Sequence, residues 1–189
     1  MDYNAELERI LRASPLLWGM IEKAPSFGLA SYYFGAGAIS QSVWNSLYHK
    51  DPLYGIADVD FVYFDEDLSY EKEDRYIKMI QGAFRNPSLG IDVKNEARVH
   101  LWYPRHFGYA IPPYHTLEEA VDSWPTTVTT MGVRLEQNHL QIYARFGLED
   151  VFRGIIKPNK VAVKKEVYQA KCDKWKAKWP ELTIVGWDD

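Results

Sequence analysis

The chain has one cysteine, Cys172, among 189 residues. An internal disulfide is therefore excluded, and a reducing compartment is expected. Long uncharged runs are also missing, and nothing approaches the roughly 20 apolar residues that a membrane-spanning helix needs. The opening "MDYNAELERILRASPLLW" is charged and amphipathic, without the apolar centre of a signal peptide. These absences lead to the expectation of a cytoplasmic protein with no membrane partner. Three familiar chemical signatures are missing too. There is no phosphate loop with its lysine, no nucleophile elbow, and no dinucleotide fingerprint with a downstream ribose-binding acid. His100, His106 and His115 are too irregularly spaced for a zinc site, and no thiol supports them. Cys172 has no accompanying motif, so a nucleophilic role is not expected of it. Internal repeats, low-complexity segments and linkers are absent as well.

What is present fits one domain over residues 1–189, long enough to bury a core without covalent staples. Aromatic residues make up 15% of the chain, including seven Trp and thirteen Tyr, which implies a firm core or a stacking surface. The net charge of −4 is unevenly spread. Residues 1–152 sum to −8, residues 153–178 to +7, and the last eleven to −3. A basic block of this kind can meet an anionic partner, but a solvated lysine-rich helix face accounts for it more simply.

Periodicity places Leu7, Ile10 and Leu11 on one helical face, and Ser14-Pro15 starts a second helix. "LASYYF" reads as a buried strand, "AISQSVWNSLYH" as a helix, and "IADVDFVYFD" as an alternating strand. "DLSYEKEDRYIKMIQGAF" reads as an amphipathic helix capped by Ser69 and broken at "RNPSLG". "IDVKNEARVHLWY" is expected to be one long strand. Its polar face would carry Asp92, Lys94, Glu96, Arg98 and His100. A proline-rich loop, "RHFGYAIPPYH", precedes a short helix capped by Thr116. A hairpin with its turn at "EQN" and a basic helix over about 163–179 complete the chain. In that helix Trp175 and Trp179 are expected to pack on the core rather than to stack on a nucleic acid.

The chemical signal is a combination. A strand, a Gly-X-Gly turn at Gly35 and Gly37, and a helix precede a strand bearing Asp58-Val59-Asp60. The two aspartates flank Val59 and so point to one side. Carboxylates held this close repel unless a cation lies between them, and Mg²⁺ suits such oxygen ligands. Asp92 on a later strand can supply a third carboxylate. Glu96, four positions further, would lie roughly 13 Å along an extended strand and so be set apart from that ion. Lys94 and Arg98 share the expected face, either to neutralise phosphate or to pair with Asp92 and Glu96. The glycine turn would offer backbone N–H groups and a helix N-terminus to phosphates.

With "GAGAI…VW", "DVDFVYFD", "DVKNEARVHLWY", "WPTT" and "GLEDVF", the chain resembles a bacterial nucleotidyltransferase-like family of the polymerase-β-type superfamily. The resemblance runs from about Tyr33 to Trp187. It implies an α+β fold, a mixed sheet with packed helices, and transfer of an NMP group from an NTP to an acceptor hydroxyl with Mg²⁺ or Mn²⁺. It also implies that Asp58, Asp60 and Asp92 are the metal and catalytic carboxylates and that Gly35 and Gly37 form the phosphate-side turn. Ser40, by nearness to that turn, and Lys94 and Arg98, by their shared strand face, are expected on the nucleotide. A small-molecule or protein acceptor is favoured over tRNA. The chain departs from the superfamily pattern at Ala36 and Ala38, where a triphosphate-binding serine often stands. Where the tRNA-terminus-adding branch carries Arg and Asp, this chain has Ser40 and Gln41. Such departures admit an alternative, a catalytically inactive binding module on the same fold.

Overall fold

A computed structural model of the chain describes residues 2–86 and 89–189. Helices α1 (Tyr3–Arg12) and α2 (Pro15–Lys23) lead through a 3₁₀ turn to strand β1 (Tyr32–Gly35). The chain then runs α3 (Gly37–Leu47), β2 (Asp58–Tyr63), α4 (Tyr70–Ala83), β3 (Gly90–Asn95) and α5 (Val99–Phe107). After α6 (Leu117–Asp122) comes the hairpin of β4 (Met131–Glu136) and β5 (His139–Ala144). The last elements are α7 (Glu149–Phe152), β6 (Ile155–Ile156), α8 (Lys165–Lys178) and β7 (Thr183–Ile184). The main sheet has the order β3-β2-β1-β4-β5, with β2 and β3 parallel and the other neighbours antiparallel. The expected mixed sheet with packed helices is observed. Among the described residues, no helix is long and apolar enough to cross a membrane.

Alternation along the strands divides the sheet into two faces. Phe34, Val59, Phe61, Tyr63 and Val93 enter the main core together with Leu7, Ile10 and Leu11 of α1. Tyr33 and Val62, on the opposite face, form a smaller cluster with Leu117 and Val121 of α6. Leu7 and Leu11 are fully buried, as their spacing predicts, and the Thr116 hydroxyl caps α6 by accepting from Glu119 N. The hairpin turns on Gln137 and Asn138, both at positive φ, which matches the tight two-residue turn of antiparallel strands. Of the expected helix break at "RNPSLG", Pro87 and Ser88 lie outside the described residues.

One expectation is corrected. The segment read as a single long strand stops at Asn95, and Glu96–Arg98 form a 3₁₀ turn that feeds α5. The Asn95 side chain is the cause. Its Oδ1 accepts from Asp65 N at 3.0 Å and from Ala97 N at 3.2 Å, while its Nδ2 donates to Asp65 O at 2.8 Å. A side-chain amide thus takes over the backbone pairing and caps the turn, which diverts the chain out of the sheet. The helix that follows runs through Phe107, three residues into the segment read as loop, and ends at Gly108 with φ +78°.

The basic C-terminal helix spans Lys165–Lys178, slightly inside its expected bounds. Its lysines are dispersed among internal partners. Lys165 pairs with Asp188, Lys178 Nζ donates to Gly55 O at 2.8 Å, and Lys176 bonds the carbonyls of Pro180 and Leu182. Trp175 and Trp179 are buried against Trp44 of α3, with ring centroids 5.4 and 5.5 Å away. Asn45 locks this seam. Its Oδ1 accepts from Trp179 Nε1 at 2.9 Å, and its Nδ2 donates to Pro52 O and Tyr54 O. Gly55, at φ +72°, is required twice over, because a Cβ there would lie 2.6 Å from the Trp179 ring.

Truncating Asn45 to Ala would strand one buried N–H and two carbonyls. A loss of about 3 kcal/mol is expected, read as a lower urea midpoint at unchanged slope.

Candidate active site

The floor of the site follows from strand register. Gly35 of β1 lies opposite Asp60 of β2, and Asp60 lies opposite Asp92 of β3. Directly paired residues share a face, so the glycine turn, the second aspartate and the third carboxylate form one row across three strands. Neighbouring strands are about 4.8 Å apart, and residues two apart on one strand about 6.8 Å. Asp58 therefore lies on the same face as Asp60, one repeat of the strand away. Asp58 is exposed and Asp60 and Asp92 are half-buried.

Burial pushes the Asp60 carboxyl up to about 6, and the negative charges of Asp58 and Asp92 add to the shift. Lys94 and Lys171 pull it back down. Lys94, two residues along β3 from Asp92, forms an ion pair with it. Burial works against the Lys94 charge, but the hydrogen bond and charge of Asp92 outweigh this, and its pKa is raised. Lys171 reaches in from α8, where burial lowers its pKa against the opposing attraction of Asp60.

The turn itself is strained. Ala36 has φ +54° and ψ −132°, a conformation that suits glycine, and its N–H donates to Met131 O at 3.3 Å. No side chain caps the N-terminus of α3, and its first turn holds no acidic residue. Gly35 has no room for a side chain, since a Cβ would meet the Trp124 ring at 2.6 Å. Gly37 opens α3, and a Cβ there would meet the Gln41 amide, folded back over the turn, at 2.7 Å.

Two other residues expected on the nucleotide are engaged elsewhere. Ser40 is fully buried, and its hydroxyl donates to Val128 O at 2.6 Å. Arg98 lies beyond the end of β3 and so does not share the Asp92 face. It pairs with the buried Glu73 and donates to Leu68 O at 3.0 Å. Neither of the carboxylates proposed as its partners is the one it meets. Glu73 is held in turn by Asn95 N at 3.0 Å, which makes this a structural clamp between α4 and the end of the sheet.

Beside the aspartates lies a cleft of about 280 Å³. Its floor is Asp60, Val62 and Lys94, its walls include Trp102, Tyr103, Phe107, Tyr114 and Trp124, and Lys171 closes one side. Glu96 also lines it and is 4% exposed. Burial pushes its carboxyl up to about 8, opposed by Lys94 and reinforced by Asp60 and Asp92. Sequence reasoning set Glu96 aside by strand distance, a premise that fails because the strand ends before it. Lys171 was visible only as one lysine in a basic run, and the aromatic walls carried no local signal of a cleft.

Carboxylate oxygens are the right donor chemistry for a hard divalent cation, and Asp58 and Asp60 share one side of β2. Among the described residues, however, no three His, Cys, Asp or Glu side chains converge closely enough to hold a metal ion. Asp92 is turned to Lys94 instead.

A mixed sheet whose glycine turn and D-x-D strand share one row defines the class, a nucleotidyltransferase fold. The chain belongs to a nucleotidyltransferase family, whose model matches residues 22–184. It is also similar, at 25% identity and a TM-score of 0.78, to a protein whose NMR structure reveals a CCA-adding enzyme head domain. That similarity covers 96% of this chain and 95% of the other. No curated protein matches the sequence.

Two outcomes follow from the local physics. Ala36→Gly relieves the positive-φ strain and is expected to stabilise the fold by about 1 kcal/mol, a rise of roughly 2–4 °C in Tm. Glu96→Gln is expected to be neutral near pH 4.5 and increasingly stabilising towards pH 8. The wild-type acid is protonated in the folded state and ionised in the unfolded state over that window, so wild-type stability falls as pH rises. Melting curves of both proteins across this range check the divergence.

Proposed function

We propose that this chain transfers an NMP group from an NTP to the hydroxyl of a small-molecule or protein acceptor, within one domain. The observation that carries the reading is the row Gly35–Asp60–Asp92, which sets a phosphate-side turn beside the acidic strand. The uncapped N-terminus of α3 suits the triphosphate, because its backbone N–H groups favour an anion. Asp58 and Asp60 would hold Mg²⁺ or Mn²⁺, with Asp92 joining once released from Lys94. Bound there, the metal would offset phosphate charge and lower the pKa of the acceptor hydroxyl. The acceptor oxygen then bonds to the α-phosphorus as the bond to the β-phosphate bridging oxygen breaks. Pyrophosphate leaves, and the acceptor proton passes to Asp92. On this reading Lys94 and Lys171 would meet phosphate charge. Internally engaged α8 lysines favour a compact acceptor over a polynucleotide.

The Lys94–Asp92 pair and the buried Ser40 hydroxyl favour a second reading, a module that binds nucleotide without turnover.

Asp58→Asn and Asp60→Asn are each expected to weaken binding of Mn²⁺–NTP by about 100-fold in calorimetry and to abolish metal-stimulated pyrophosphate release. Variants that bind as tightly as the wild type would refute the site. Tight binding by the wild type with no pyrophosphate release from any NTP would favour the second reading.

A further inference from the structure

Building on the nucleotidyl-transfer reading, we propose that the cleft beside Asp60 is a ring-binding subsite for the nucleobase and that Glu96 reads the ring's hydrogen-bonding edge. Glu96 is 4% exposed, and its carboxyl makes no hydrogen bond among the described residues although it borders the cleft. A carboxyl that borders a cleft and has no protein partner is open to a ligand that supplies one. The walls are unusually aromatic. Trp102, Tyr103, Phe107, Tyr114 and Trp124 line the cleft, and Tyr103 and Phe107, with ring centroids 4.3 Å apart, pack on each other as one wall. An aromatic wall stacks against a flat heterocycle, whatever its identity.

The 3₁₀ turn at Glu96–Arg98 places this carboxyl, since a continued strand would have carried residue 96 along the sheet. The charges around it argue against a cationic ligand head. Lys94 on β3 and Lys171 on α8 share the cleft with Asp60, so an organic cation would meet two ammonium groups. With burial keeping Glu96 protonated at neutral pH, its carboxyl presents one donor and one acceptor. That pair matches the adjacent donor and acceptor on a base's pairing edge. A volume of about 280 Å³ admits a single ring system rather than a strand. Asp60 and Ala36 both line the cleft, so a base bound there would have its sugar and phosphates beside the glycine turn.

The test uses adenosine, cytidine, guanosine and uridine without metal, with the indole N–H signals of Trp102 and Trp124 followed by NMR. At least one nucleoside is expected to shift both signals saturably. Glu96→Leu should weaken that binding about tenfold or more, whereas Glu96→Gln, which keeps a donor and an acceptor, should stay within about threefold. Phe107→Ala, at a half-buried wall position, should weaken it severalfold and serves if the Leu variant is poorly folded. The assignment is overturned if no nucleoside shifts these signals, or if both the Leu and Ala variants bind like the wild type. Equal losses in the Gln and Leu variants would also overturn it, because charge rather than a paired edge would then hold the ligand. Mn²⁺–NTP binding that depends on Asp60 without any nucleoside response would sink this subsite and leave nucleotidyl transfer standing. Nucleoside binding with Mn²⁺–NTP binding indifferent to Asp60→Asn would do the reverse.

Discussion

Strand register is the constraint on which the rest depends. Pairing β2 antiparallel to β1 and parallel to β3 puts Gly35, Asp60 and Asp92 in one row. A slip of one residue would turn Asp58 and Asp60 into the apolar core and bring Val59 and Phe61 to the site face. The burial of Val59, Phe61 and Val93 therefore fixes the chemistry on the opposite side of the sheet. Core packing and site geometry are two consequences of the same alternation.

Around that row the charges are balanced locally. Two half-buried lysines, Lys94 from within the sheet and Lys171 from the C-terminal helix, face the carboxylates Asp60, Asp92 and Glu96. Without Lys94, burial would favour protonation of Asp60 and Glu96 still further. Lys171 can act there because α8 is anchored through Trp175, Trp179 and the Asn45 amide. A feature that looks like a basic surface in composition thus serves a buried site, and most of its neighbouring lysines tie down carbonyls or acids. The strain held at Ala36 belongs to the same region, where the chain must leave β1 and enter α3 within one residue.

Much of the fold was legible locally. Helical spacing identified Leu7, Ile10 and Leu11, the Thr116 cap marked α6, and "EQN" marked the hairpin turn. Legibility failed at Asn95 because alternation of polar and apolar residues continues past it into α5. What stops the strand is a side-chain amide bonded to Asp65, thirty residues earlier in sequence. For the same reason Arg98 was grouped with Asp92, although its partner Glu73 comes from α4. Ser40 was assigned to phosphate by nearness to the turn, yet its hydroxyl is taken by Val128 from across the core.

By itself the sequence determined most of the order of elements, α5 excepted, the family and the pairing of Asp58 with Asp60 on one side of a strand. Those features rest on local periodicity and on residues two apart, which no tertiary contact needs to arrange. Only the tertiary structure decided that Glu96 lies at a cleft, that Lys171 faces Asp60, and that Asp92 is held by Lys94. Each depends on strand partners, a side-chain cap and a helix docked from more than 70 residues away, contacts that single-chain spacing does not encode.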